Sequence, residues 1–259
     1  MAPSRDHDDE PMTIGEHLEE LRRRILYALL GLAAGTAVAM LFGQHLVALL
    51  EAPYVTVMRE AGVEPELAIL QVTDGFTTYV RLGVVFGLVL SSPWVFYQLW
   101  TFVSAGLYPR ERRYVLLAVP FSAALFAAGA AFFLFGVSTM VLRFFVAFSA
   151  WLGLTPLITF QNHLRFMTSM MVAFGLGFQT PLAVMLLAKV GLVRIATLHR
   201  YRRHVIVGIL ILAALFTSPS PVDQVALAIP MWALYELGVL LAWLTTRNGR
   251  RAEIEEAEV

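Results

Sequence analysis

Six stretches of this chain carry too much apolar surface and too little charge to face water. The clearest is "ILYALLGLAAGTAVAMLF", Ile25–Phe42, which contains no charged residue. As a helix rising about 1.5 Å per residue it nearly crosses a hydrocarbon layer about 30 Å thick. The others run about Phe76–Trp100, interrupted by Arg81; Tyr114–Phe135, with Pro120 near its start; Leu164–Val190, with Pro181 inside; His204–Thr217; and Gln224–Leu244, with Glu236 inside. Over the 259 residues, 58% are hydrophobic and 15% charged, whereas a soluble domain has about 25% charged residues. The chain therefore reads as an all-α polytopic membrane protein of six transmembrane helices.

The connections order these spans. Most are short, which implies one helical domain. Two are longer, about Gly43–Gly75 and Gly136–His163, and their mixed character predicts interfacial helices. Fifteen of the 19 basic residues fall on one set of ends and loops: Arg5, Arg22–Arg24, the arginines of 110–113, those of 189–203 with Lys189, and Arg247, Arg250 and Arg251. Arg59, Arg81, Arg143 and Arg165 make up the other set. That asymmetry predicts both termini on the cytoplasmic side, in agreement with an even number of spans. Residues 1–12 read as a disordered tail, 13–244 as the transmembrane domain and 245–259, "RNGRRAEIEEAEV" with its flank, as a charged and disordered cytoplasmic tail. The first residues lack a basic-then-apolar leader pattern, so no cleaved signal peptide is expected. A net charge of +0 gives no overall field toward nucleic acid, and the lack of cysteine excludes disulfides and thiol chemistry.

The charged flanks hold the more informative residues. "GEHLEELRRR", Gly15–Arg24, sets three glutamates beside three arginines directly before the first span. Arginines there serve topology, but glutamates do not. Glu19 and Arg23, or Glu20 and Arg24, share a helix face and could pair locally, and Thr13 with Glu16 has the spacing of a capping box. The other reading is a carboxylate displayed for a cationic partner. A second lone acid, Glu111, sits among Arg110, Arg112 and Arg113 in "WTFVSAGLYPRERRYV", beside the apolar Phe102, Leu107 and Tyr108. Gln179 and Pro181 in "FGLGFQTPLAV" lie well inside the fourth span. Pro181 removes a backbone donor and predicts a bend, and Gln179 can bind a neighbouring helix. Glu236 is a carboxylate within the sixth span, a candidate functional group or a hydrogen-bonded interior one. The fifth span is short: fourteen residues reach roughly 21 Å, which predicts local thinning of the bilayer.

Taken together, "HLEELRRR", "YQLWTFVSAGLYPRERR", "FGLGFQTP" and "LAIPMWALYELG" resemble, in order and from about Thr13 to Leu244, the signatures of TatC, the multispanning subunit of the twin-arginine protein translocase. The resemblance implies a receptor for signal peptides bearing an arginine pair. It also implies export of folded cargo driven by the protonmotive force, partners of the single-span TatA and TatB types in an oligomeric complex, and no enzymatic activity or cofactor. Position by position, it puts the signal-recognition carboxylates at Glu20 and Glu111, with Arg22, Phe102 and Tyr108 in the same recognition region and Pro53 of "EAPY" in the first distal loop. The chain departs from the family pattern at four places. Gln179 stands where the family has glutamate, and Ser220 of "TSPSP" where it has an acid, with Asp223 three residues on. Ala105 replaces a proline and His163 a tyrosine.

Two other classes compete. A solute or ion transporter would use Glu236, Gln179 and a broken fourth helix, but such proteins commonly carry internal repeats and none is visible. An intramembrane hydrolase needs a nucleophile with a base, or a metal motif, within the spans. His163 and His204 sit at span ends without such partners.

Overall fold

The computed structural model describes residues 14–105, 109–154, 157–189, 195–216 and 221–257. Regular structure among them is helical, apart from one isolated parallel bridge between Ala68 and Thr159. The helices are α1 (Ile14–Leu41), α2 (Gly43–Glu60), α3 (Asp74–Ala105), α4 (Pro109–Phe132), α5 (Ser138–Trp151), α6 (Phe160–Gly177), α7 (Thr180–Lys189), α8 (Ile195–Arg200), α9 (Arg202–Phe216) and α10 (Pro221–Ala257). A π-helical turn, Phe133–Val137, joins α4 to α5.

Among the described residues, five stretches are long and apolar enough to cross a membrane: His17–Leu41, Asp74–Ser104, Ala118–Trp151, Phe160–Ala188 and Leu227–Leu244. The protein is membrane-embedded. Helix α9 has 15 residues and falls short of that length, as the sequence foretold for the fifth span. Both long connections contain helices, α2 and α5.

Two expectations need correction. The sequence placed the bend of the fourth span at Pro181. The helix instead breaks at Phe178–Gln179, and Pro181 sits in the first turn of α7. A proline there lacks only an N–H that has no intrahelical partner anyway, while its ring obstructs the turn before it. The tail expected to be disordered continues α10 as helix to Ala257. "RRAEIEEA" is made almost wholly of strong helix formers, and a helix already nucleated by a membrane span extends at no further nucleation cost.

The spans are arranged as antiparallel neighbours. Helix α1 zips along α3: His17 meets Phe102, Arg24 meets Gln98, Trp94 Nε1 donates to the Tyr27 carbonyl at 2.8 Å, and Tyr79 donates to the Met40 carbonyl. A methyl group placed on Gly35 would lie 2.6 Å from the Gly87 carbonyl oxygen. Glycine at both positions lets the backbones approach this closely, as small residues do in membrane helix pairs. The rest of α1 is open, with Leu26, Leu29 and Leu30 exposed to the lipid.

The main core lies at the other end of the spans, the distal end, where α2 and α5 cover them. Leu50, Tyr54, Val57 and Met58 of α2 pack with Leu82, Phe133, Leu142, Leu164, Met167 and Phe174. Thr159 caps α6 by accepting from the Asn162 amide, and the Phe160 amide donates to the Ala68 carbonyl at 3.0 Å. Glu60 and Arg143 join α2 to α5 through two hydrogen bonds of 2.8 and 2.9 Å.

Candidate functional site

The start of α1 is continuous helix, so Glu20, Arg23 and Arg24 lie within one turn of each other. Glu20 accepts from Arg24 Nε at 2.7 Å through one oxygen and from Arg23 Nη2 through the other. Its side chain is only 14% exposed. Arg24 also donates from Nη1 to Gln98 Oε1 at 3.0 Å, and Gln98 on α3 is buried at 2% exposure. A relay thus runs from Glu20 through Arg24 to Gln98 and fixes the carboxylate relative to α3. The sequence missed Gln98; its signal was an isolated amide within the apolar "VFYQLW". It also missed His17, whose ring lies 4.6 Å from that of half-buried Phe102.

Arg22 points away from this relay. Its side chain is 73% exposed, with Nη1 3.7 Å from Glu19. Such a loose exposed pair contributes about 0–1 kcal/mol. Glu111 is the third residue of α4, so its backbone stands just beyond the end of α3, at the same end of the molecule as Glu20. The Glu111 side chain lies outside the described residues, as do Tyr108, the Thr13–Glu16 pair, Ser220 and the Asp223 side chain.

A carboxylate clasped by two guanidiniums is a suitable exchange site for another guanidinium. The planar fork of an arginine matches two carboxylate oxygens, and the resident pairs hold the oxygens in place while they are free of a guest. Arg23, half-exposed, is the more easily displaced; Arg24 is held by Gln98.

The family model for the "Sec-independent protein translocase protein (TatC)" matches residues 16–230. The chain belongs to the TatC family. A TatC from Carboxydothermus hydrogenoformans is 32% identical over 236 residues, covering 91% of this chain and 94% of the relative. One from Desulforapulum autotrophicum is 33% identical over 255 residues, covering 98% and 92%. A crystal structure of a twin arginine translocase receptor, TatC, superposes with a TM-score of 0.79 at 30% identity, covering 89% of this chain and all of that one.

The other candidate residues, Gln179, Glu236, His163 and Pro53, lie elsewhere in the fold. Gln179 occupies the turn between α6 and α7 and donates from Nε2 to the Ser122 carbonyl at 2.8 Å. Trp100 Nε1 donates to the Ser122 hydroxyl at 2.7 Å, so α3, α4 and the break in the fourth span meet at one buried serine. An ionised carboxylate at position 179 has no proton for that carbonyl, while an amide always does. Glu236 accepts from Arg202 Nη2 at 2.6 Å, joining α10 to α9. Its other oxygen and Arg202 Nε are buried without a hydrogen-bond partner among the described residues. No periodicity within either helix could have shown this pair, since the residues are 34 apart on different elements. His163, one turn into α6, is buried, and its Nε2 donates to the Leu50 carbonyl of α2 at 3.1 Å. Pro53 lies within α2, half-buried, three residues from that carbonyl. These groups are spread over both ends of the molecule and make no single site with Glu20.

Proposed function

We propose that the protein is the signal-peptide receptor of a twin-arginine translocase in the prokaryotic cytoplasmic membrane, with both termini in the cytoplasm. Glu20 and Glu111 would each take one guanidinium of the consecutive arginine pair. Phe102 and Tyr108 would supply apolar surface beside it, and Arg22 would repel cations that are not correctly seated. The apolar part of the signal peptide would then lie along the open flank of α1. Single-span subunits of the TatA and TatB types would join the complex, and the protonmotive force would drive passage of folded cargo.

The observation that carries this reading is Glu20 itself. It is a mostly covered carboxylate, positioned by a relay to a buried amide, and its partners among the described residues are arginines of its own helix. A purely structural glutamate needs no such second anchor. The solved relative, a twin arginine translocase receptor, points the same way. The short α9 supports the transport half of the proposal, since a thinned bilayer lowers the barrier to moving polar chain across.

A photoactivatable group next to the arginine pair of a signal peptide tests the placement. In membranes it should cross-link to the Glu20–Phe102 region and to the first turn of α4. Cross-links confined to α2 or α5 would contradict it.

A further inference from the structure

The distal end of the spans carries a pair of cations that the receptor role leaves unused. Arg81 lies seven residues into α3 and Arg165 five residues into α6. At about 1.5 Å per residue both sit roughly 8–11 Å along their helices from the distal ends, inside or at the border of the hydrocarbon. Both side chains are exposed. Among the described residues, no carboxylate stands within ion-pair distance of either one.

Arg81 is nevertheless held in place. Its Nε donates to Thr168 Oγ1 at 3.2 Å and its Nη2 to Ser169 Oγ at 2.7 Å. Thr168 is anchored in turn by donating to the Leu164 carbonyl at 2.7 Å. Arg165 is three and four residues before those hydroxyl groups, so it projects from the same face of α6 that Arg81 reaches. Two like charges are thus brought together on a lipid-facing seam, with one of them oriented by hydroxyls.

Unpaired arginines at this depth are costly, and the cost is relieved when they reach the headgroups or draw headgroups toward them. A phosphodiester answers both requirements: it is anionic, and its oxygens accept the fork of one guanidinium while a second neutralises the remaining charge. We propose that Arg81, Arg165 and Ser169 form a binding site for the phosphodiester of an anionic phospholipid in the leaflet at the distal end. The acyl chains would then run along the seam where α3 meets α6. An acidic segment of a protein partner would suit the charge but not the depth.

Native mass spectrometry of the detergent-purified full chain, titrated with equal amounts of phosphatidylglycerol and phosphatidylcholine, tests the site. The wild type should retain phosphatidylglycerol preferentially. Arg165→Gln should weaken that retention by about tenfold, and Arg81→Gln with Arg165→Gln by more, with phosphatidylcholine unchanged. Arg165 makes no described side-chain hydrogen bond, so its single variant keeps the test valid if the double variant misfolds. A phosphatidylglycerol with a photoactivatable group near its headgroup should cross-link to the turn holding Ser169 in the wild type and lose that cross-link in Arg165→Gln. Unchanged retention in Arg165→Gln, equal retention of the two lipids, or displacement by inorganic phosphate at the same concentration would each overturn the proposal. So would variants that keep the lipid but fail to co-purify single-span subunits.

Discussion

The two ends of the molecule are built on opposite plans. At the distal end, Tyr54, Leu164, Met167 and Phe174 are almost completely buried, and α2 is tied to α6 through His163 and to α5 through Glu60 and Arg143. At the arginine-rich end, α1 rests on α3 along one seam, and Glu20 binds two arginines within a single turn of its own helix, only one of which, Arg24, is also held by α3 through Gln98. The first plan fixes a shape. On the proposed function, the second would leave a carboxylate whose partners exchange without disturbing the fold. Stability should therefore reside mainly at one end and peptide recognition at the other.

The largest effect expected is on stability. Phe174→Ala removes a ring that is 1% exposed and packs against Phe132 and Phe133, which should cost about 3–5 kcal/mol. Thermal unfolding in detergent should show a clear fall in the midpoint. Signal-peptide affinity, measured on the variant that remains folded, should be unchanged; a parallel loss of affinity would mean that the ends are coupled. His163→Ala should cost less, about 2 kcal/mol, through one lost hydrogen bond and a small cavity, again with no change in affinity.

At the arginine-rich end the pattern should reverse. Arg23→Ala removes a half-exposed competitor for Glu20, a pair contributing about 0.2–1 kcal/mol. The unfolding midpoint should barely move. Affinity for an arginine-pair peptide should rise a few-fold, and preference over a lysine-pair peptide should narrow. Lower affinity would show that Arg23 assists the guest instead of competing with it. The smallest effect expected is from Gln179→Glu. A neutral carboxyl can still donate to the Ser122 carbonyl, so export should continue. Loss of export would show that the amide itself is required.

The sequence made the plan of the spans legible because burial in lipid leaves an unmistakable apolar run. It made the shortness of α9 legible for the same reason. It did not locate the break at Phe178–Gln179, since Pro181 marks the region of a disruption but not the turn it displaces. Nor did it reveal the helical tail, where charge suggested disorder but local propensity favours helix. The site was half legible. Glu20 and Arg24 are four apart on one helix, a spacing the sequence displays. Gln98, His17 with Phe102, and Arg202 with Glu236 depend on which helices become neighbours, and that is decided by packing such as the Gly35–Gly87 approach.

The most direct measurement is the affinity of the purified protein, in detergent or nanodiscs, for one signal peptide bearing Arg-Arg and for the same peptide bearing Lys-Lys, repeated with Glu20→Ala and Glu111→Ala together. The account predicts at least about tenfold preference for the arginine pair, because lysine cannot reproduce the bidentate contact, and near loss of that preference in the double variant. Equal binding of the two peptides by the wild type, or an undiminished preference once both glutamates are gone, would contradict it.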